Sequence, residues 1–171
     1  MRYDAVLDEN SKLVTHLSII LTLVFIFRQL TDVTGDPLST TALLFILVPV
    51  LVIAWALSPR YYLITDTAIL IKRPLFSITI YLSEVVRLKS VSEEDLGSSS
   101  RILALGGIFG YLGNYRSSEI GKYQGWCTNR VNLVLIESSN QKWLISPSAP
   151  EEFIRQVNSR INVPSACPTQ E

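Results

Sequence analysis

The chain has 171 residues, with 15 basic and 15 acidic side chains and a formal net charge of zero. That length suits one ordinary domain or a small domain with an appendage. Neutrality excludes a nucleic-acid binder working through a broadly basic surface, and it excludes a long charged disordered tail. Apolar residues make up an ordinary 48%, but 27 of the 82 fall in two windows, Leu13–Leu30 and Thr41–Ser58. The composition is that of a membrane-anchored protein rather than of a uniform soluble domain.

The first window, LVTHLSIILTLVFIFRQL, has 12 apolar residues of 18 and a single charge, Arg28. As a helix it would reach roughly 27 Å, near the ~30 Å hydrocarbon thickness of a bilayer. The second, TALLFILVPVLVIAWALS, has 15 apolar residues of 18 and no charge. Its central Pro49 is tolerable in a membrane helix, and Trp55 suits an interfacial anchor. Two transmembrane helices are therefore expected, at about 13–30 and 41–58. The segment joining them, TDVTGDPLST, carries Asp32 and Asp36 and no basic residue. Arg2 and Lys12 precede the pair, and Arg60, Lys72 and Arg73 follow it. The positive-inside rule then puts both termini in the cytoplasm, with Arg28 snorkelling to the outer headgroups. Cys127 and Cys167 form no C-x-x-C, which fits reduced thiols in that compartment.

After Ser58-Pro59-Arg60 the pattern changes to strands. YYLIT (61–65) and AILIK (68–72) read as a hairpin. FSITIY (76–81) alternates, with Phe76, Ile78 and Ile80 expected inward. EVVRLKSV (84–91) continues as a strand, with Val86 and Leu88 expected inward and Arg87 and Lys89 outward. The run Glu93-Glu94-Asp95 lies in a Ser/Gly-rich loop and reads as solvated surface, not as a metal or acid–base site. Trp126–Thr128, Val131–Ile136 and Lys142–Ser146 follow as strands. Ser148-Ala149-Pro150-Glu151 reads as a capping box opening an amphipathic helix, with Phe153, Ile154, Val157 and Ile161 on its apolar face. Pro164 stops it, and 164–171 is expected to be a disordered tail.

Six or seven short antiparallel strands followed by one helix suggest a sheet curled into a partly closed barrel. The chain resembles the bacterial PH-domain proteins that carry two N-terminal membrane helices. The resemblance rests on Thr65-Asp66 through Ile71-Lys72-Arg73, Arg101-Ile102-Leu103, Gly110-Tyr111-Leu112-Gly113, Tyr115 with Ser117, and Gly121-Lys122-Tyr123. It continues through Cys127-Thr128, Asn132–Ile136, Ile145-Ser146-Pro147 and Pro150–Ile154. It implies an α+β membrane protein: an anchor (1–58), then a PH-like antiparallel β-barrel or sandwich with a C-terminal helix (59–163). It implies no reaction.

The segment 102–125 has glycines at 106, 107, 110, 113, 121 and 125. Their spacing matches neither dinucleotide nor P-loop phosphate cradles. Ile102–Gly113 is too short and too glycine-rich for a third span. Two readings stay open. One is a β-bulge or irregular loop in which glycine permits unusual backbone. The other is an exposed apolar tip of Ile108, Phe109, Tyr111, Leu112 and Tyr115 that meets the bilayer or a partner protein. Lys72, Arg73, Arg87 and Lys89 are candidate contacts to anionic lipid.

His16, the single histidine, lies in the first window near Lys12. The domain thus lacks the means for a Ser/His/Asp set or a usual zinc site. No enzyme, cofactor or metal is expected. The expected function is a membrane-tethered module presenting a cytoplasmic docking surface to a protein partner. The alternative is lipid contact or membrane organisation through 102–125 and the basic residues. The expected partners are the lipid bilayer and a protein, not nucleic acid.

Overall fold

Strand β1 (Arg2–Asp4) forms before either hydrophobic helix, in a stretch with no strand pattern of its own. Its register is supplied from across the molecule: Arg2, Tyr3 and Asp4 pair antiparallel with Leu63, Tyr62 and Tyr61 of β2 (Tyr61–Ile64). The computed structural model describes residues 1–31, 37–97 and 99–161, with backbone alone for 37–40 and 99–106. The acidic residues Asp32 and Asp36, Cys167 and the tail lie outside the described residues.

Helix α1 (Glu9–Thr31) starts at a carboxylate cap: Asp8 Oδ1 accepts from the Ser11 amide at 2.8 Å. Its hydroxyls bond back along the helix, Ser18 to the Val14 carbonyl and Thr22 to the Ser18 carbonyl. That is how polar side chains are satisfied where water is absent. Helix α2 (Pro37–Leu57) runs unbroken through Pro49. Gln29 Nε2 donates to Thr41 Oγ1 at 3.1 Å and ties the two together. Among the described residues, α1 alone is long and apolar enough to cross a membrane by length and composition. The apolar part of α2, Thr41–Leu57, is shorter. Of the two transmembrane helices expected, the structure supports one clear membrane-length helix, followed by a shorter apolar one.

The first sheet has the order β1-β2-β3-β4, with β3 Ala68–Lys72 and β4 Ser77–Tyr81, all antiparallel. A 3-10 turn, Leu82–Glu84, leads into β5 (Val85–Val91). The second sheet adds β6 (Ser99–Gly106), β7 (Tyr111–Ser117), β8 (Gly121–Cys127), β9 (Leu133–Ser138) and β10 (Lys142–Ile145). Its order is β5-β9-β10-β8-β7-β6. β10 runs parallel to β8, so the sheet is mixed. The arrangement is two sheets rather than one curled barrel, with helix α3 (Pro150–Ile161) packed on β5 and β9.

Three strand expectations change. The segment 102–125 is a meander of β6, β7 and β8, with an irregularity between Arg101 and Leu103 and its glycines at turns and close approaches. Val86 points out, 73% exposed, because a bulge between Val85 and Arg87 reverses the alternation. Phe76 lies in the β3–β4 turn, outside β4, and is exposed. α3 begins at Pro150, which makes Ala149 rather than Ser148 the residue before its first turn, and the Ser148 amide donates to the Asp4 carbonyl.

The main core joins both sheets and the helix: Tyr62, Ile69, Ile71, Ile80, Val134, Ile136, Ile145, Phe153 and Val157. Tyr3 of β1 closes it, its ring edge-on to Phe153 at 5.2 Å. The opposite face of the second sheet buries Leu133, Leu135, Leu144, Tyr115 and Tyr123 beneath Leu96. Strand β9 is thus covered on both faces, which explains its unbroken apolar run, LVLI.

Candidate functional site

The end of the domain nearest the helices is built from three chain segments. The first is the exit from α2. Ser58 and Pro59 are buried, and Arg60 reaches back over the Trp55 ring at 5.7 Å. The second is the β6–β7 turn. Gly107 and Gly110 adopt φ of 94° and 125°, and Phe109 between them takes φ 56°, a conformation rare for a bulky residue. The turn closes by a Gly107 amide bond to the Gly110 carbonyl at 2.9 Å. The third is the start of α1.

These segments meet at the backbone of one residue, Phe109. The Phe109 amide donates to Thr15 Oγ1 of α1 at 2.9 Å, and Ser58 Oγ, just past α2, donates to the Phe109 carbonyl at 2.8 Å. Gly107 lies against Val14: a Cβ there would sit 3.6 Å from Val14 Cγ1. Asp8 adds a second tie. Besides capping α1, it accepts from the Tyr111 hydroxyl through Oδ2 at 3.3 Å, and its amide donates to the Thr128 carbonyl at 3.1 Å. Arg130 stacks over Tyr111 at 4.2 Å and pairs with Glu93 at 2.5 Å. The domain is bonded to the helices, not merely strung after them.

The five residues read as an exposed tip divide here. Ile108 and Phe109 are half-buried at the turn, and Tyr111 is half-buried between Asp8 and Arg130. Leu112 and Tyr115 are buried in the sheet, Tyr115 stacked on Tyr123 at 5.5 Å. The expectation of exposure is corrected for those two: three residues apart on β7, they fall on opposite faces of the strand, and each is buried on its own face. Beside them lies a cavity of about 80 Å³ lined by Tyr111, Tyr115, Tyr123, Cys127, Leu133 and Leu144. That is small beside ligand pockets of roughly 300 Å³ and more.

The four basic residues also divide. Lys72 and Arg73 end β3 at the helix-proximal edge, since Lys72 pairs with Tyr61 and its carbonyl accepts from the Arg60 amide at 2.8 Å. Arg73 lies over the Trp126 ring at 4.7 Å, and burial lowers its pKa. Arg87 and Lys89 lie on β5 in the other sheet, in a groove shared with Glu94, Asp95, Glu119 and Glu137. They do not join Lys72 and Arg73 in one positive face.

The acidic run is structural. Asp95 accepts from the Ser92 amide and hydroxyl at 2.8 and 2.9 Å, and those bonds hold its carboxyl below the usual range. His16 is exposed on α1, beside the face that carries Thr15. Cys127 is buried, donates to the Leu144 carbonyl at 3.1 Å, and has its thiol pKa pushed up by burial. Among the described residues no group of three or more His, Cys, Asp or Glu side chains could hold a metal.

Residues 60–161 match the family model described as bacterial PH domain. The chain belongs to this family. No curated protein and no solved structure matches it. PH domains are non-catalytic folds, in keeping with a site made of packing and hydroxyl bonds. The match begins at Arg60, so the PH domain acquires β1 from outside the matched region. Sequence reasoning missed Asp8, Thr15 and Ser58, which join helices to domain. Asp8 carried a signal, a carboxylate three residues before Ser11 at a helix start. Thr15 and Ser58 carried none, since small hydroxyl residues are ordinary at membrane-helix edges.

Proposed function

We propose that the chain is a membrane-tethered, non-enzymatic interaction module, with an anchor in 1–58 and a PH-like domain in 59–163 that docks a protein partner on its cytoplasmic side. The observation that carries this reading is the pair of hydrogen bonds at Phe109, its amide donating to Thr15 and its carbonyl accepting from Ser58. It supports a domain held in one pose against the membrane, its opposite end offered to the cytoplasm. A tethered domain searches two dimensions at raised effective concentration, so weak docking suffices.

The pairing of β1 with β2 supports two crossings. These strands flank α1 and α2, and a chain that leaves through α1 returns to the same side only if α2 crosses too. The 17 residues of Thr41–Leu57, 15 of them apolar, are at the short end of spanning length, about 17–25. The charge pattern supports a cytoplasmic domain.

The partner docks at the end remote from the helices, where Tyr81, Leu82, Val85, Arg160 and Ile161 line a groove of about 700 Å³ next to exposed Val86. A photocrosslinking residue at Tyr81 of the full chain, in native membranes, should give one discrete adduct that Val86→Asp abolishes. A smear, or an adduct indifferent to Val86, counts against the reading.

Lipid contact is the second reading. It is favoured by the position of Ile108 and Phe109 beside Val14 and Thr15, where the apolar part of α1 begins. Lys72 and Arg73 stand at the same end. Leu112 and Tyr115 would act here only by supporting the turn.

A further inference from the structure

The tip of the β3–β4 hairpin, Arg73-Pro74-Leu75-Phe76, carries two large apolar side chains that are mostly exposed. Leu75 is 63% exposed and Phe76 65%. The turn is tight, closed by the Arg73 amide to the Phe76 carbonyl at 3.1 Å, and Pro74 stiffens it. In a soluble domain an adjacent Leu-Phe pair at a rigid tip is a liability.

Its place in the fold supplies a reason. Lys72 pairs with Tyr61 on one side and Ser77 on the other, and Tyr61 lies four residues beyond the end of α2. The hairpin therefore reaches the level at which the chain leaves α2, and the turn projects past it. Arg60 and Trp55, stacked at that level, are the residue types that settle among headgroups. Behind the apolar pair stand half-buried Lys72 and Arg73, with the Arg73 guanidinium over the Trp126 ring.

We propose that Leu75 and Phe76 form a wedge that enters the acyl–headgroup boundary of the bilayer holding α1 and α2. Lys72 and Arg73 take anionic headgroup phosphates above it. The occupant is the lipid of the same membrane, because the wedge continues the surface through which α2 emerges. With the β6–β7 turn, which is bonded to the helices, the wedge gives the domain a second, separate footing. The inference rests on α1 and α2 lying in the bilayer, and not on the protein-docking part of the proposed function.

The test uses the full chain with Cys167→Ser, leaving Cys127 buried, in vesicles of phosphatidylcholine and phosphatidylglycerol. An environment-sensitive fluorophore is placed through Leu75→Cys, and separately through Ile46→Cys in α2 and Asn140→Cys in the β9–β10 turn. Quenching is read with aqueous iodide and with nitroxide lipids. At position 75 most emission should be lost to shallow nitroxide lipids and little to iodide. Position 46 should respond to deep nitroxides, and position 140 to iodide alone.

Iodide quenching at 75 equal to that at 140, with 46 still reading as deep, overturns the wedge and leaves the anchor intact. Protection at 75 from both quenchers means that protein covers the tip, and also overturns it. Failure of 46 to respond to nitroxide lipids removes the anchor and the wedge together. Lys72→Gln with Arg73→Gln should reduce nitroxide quenching at 75 in the anionic vesicles. An unchanged value overturns the headgroup part of the proposal.

Discussion

Single atoms decide several positions in this molecule. Gly110 has φ 125°, and a Cβ there would lie 2.6 Å from the Cys127 carbonyl oxygen, which is backbone and immovable without shifting β8. Gly110→Ala should therefore cost about 2 kcal/mol or more, read as a lowered urea midpoint of the full chain in detergent. The Tyr62 hydroxyl is a second such point. It donates to the Trp126 carbonyl at 2.7 Å and accepts from the Ser146 amide at 3.3 Å. Tyr62→Phe leaves both without that partner and should cost about 1–3 kcal/mol.

Burial raises the pKa of the Tyr62 phenol and the Cys127 thiol from ordinary values of 10.0 and 9.0. Above those values the unfolded chain has lost protons that the folded one keeps. Stability is thus complete below about pH 9 and falls as pH rises further. Cys127→Ala should flatten the first part of that fall in denaturation midpoints taken from neutral to alkaline pH. The same burial makes Cys127 a poor reporter of sidedness, since an impermeant thiol reagent would fail on either side of the membrane. The exposed turn at Asn140 is the better site.

At the scale of elements, legibility followed how far each element's pattern depends on its own residues. β2, β3, β9 and β10 alternate or run apolar within themselves, and their positions were readable. β1 was not, because three residues acquire strand geometry only from β2. β6 to β8 were hidden for a different reason. Their glycines, which look like loop signals, allow the backbone of β7 and β8 to approach, as at Gly125 beneath the Tyr115 ring. Val86 went astray because a bulge shifts phase without leaving a residue signature.

The junction at Asp8 makes a prediction of its own. Asp8→Ala removes both the α1 cap and the Tyr111 bond, and should cost more than the ~1 kcal/mol of a cap alone. Tyr111→Phe removes only the second bond. Asp8→Asn, which keeps a capping oxygen, should recover part of the loss in thermal unfolding of the full chain.

For the whole molecule, the helices and the domain depend on each other, which composition suggested only as adjacency. The change from two apolar helices to a strand-rich region was legible from hydropathy alone. The bonds that unite them were not, since they involve the backbone of Phe109, the hydroxyls of Thr15, Ser58 and Tyr111, and the Asp8 carboxylate. Tyr3 shows the dependence best. It lies before the helices yet is buried against Phe153 of the last one. Tyr3→Ala should cost about 3 kcal/mol, as for other large aromatic truncations in cores. A fragment beginning at Pro59 should melt well below the full chain, and a peptide spanning β1 should restore part of the difference.

That strand carries a consequence for biosynthesis. β1 is made first, but its partner emerges only after both hydrophobic helices have left the ribosome. In the two-crossing topology proposed above, the first sheet closes only once the helical hairpin has returned the chain to its starting side. A copy in which α2 failed to insert would leave β2 without its neighbour and Phe153 uncovered. On that topology, completion of the domain reads out membrane integration, and misinserted copies should be the ones that proteases remove.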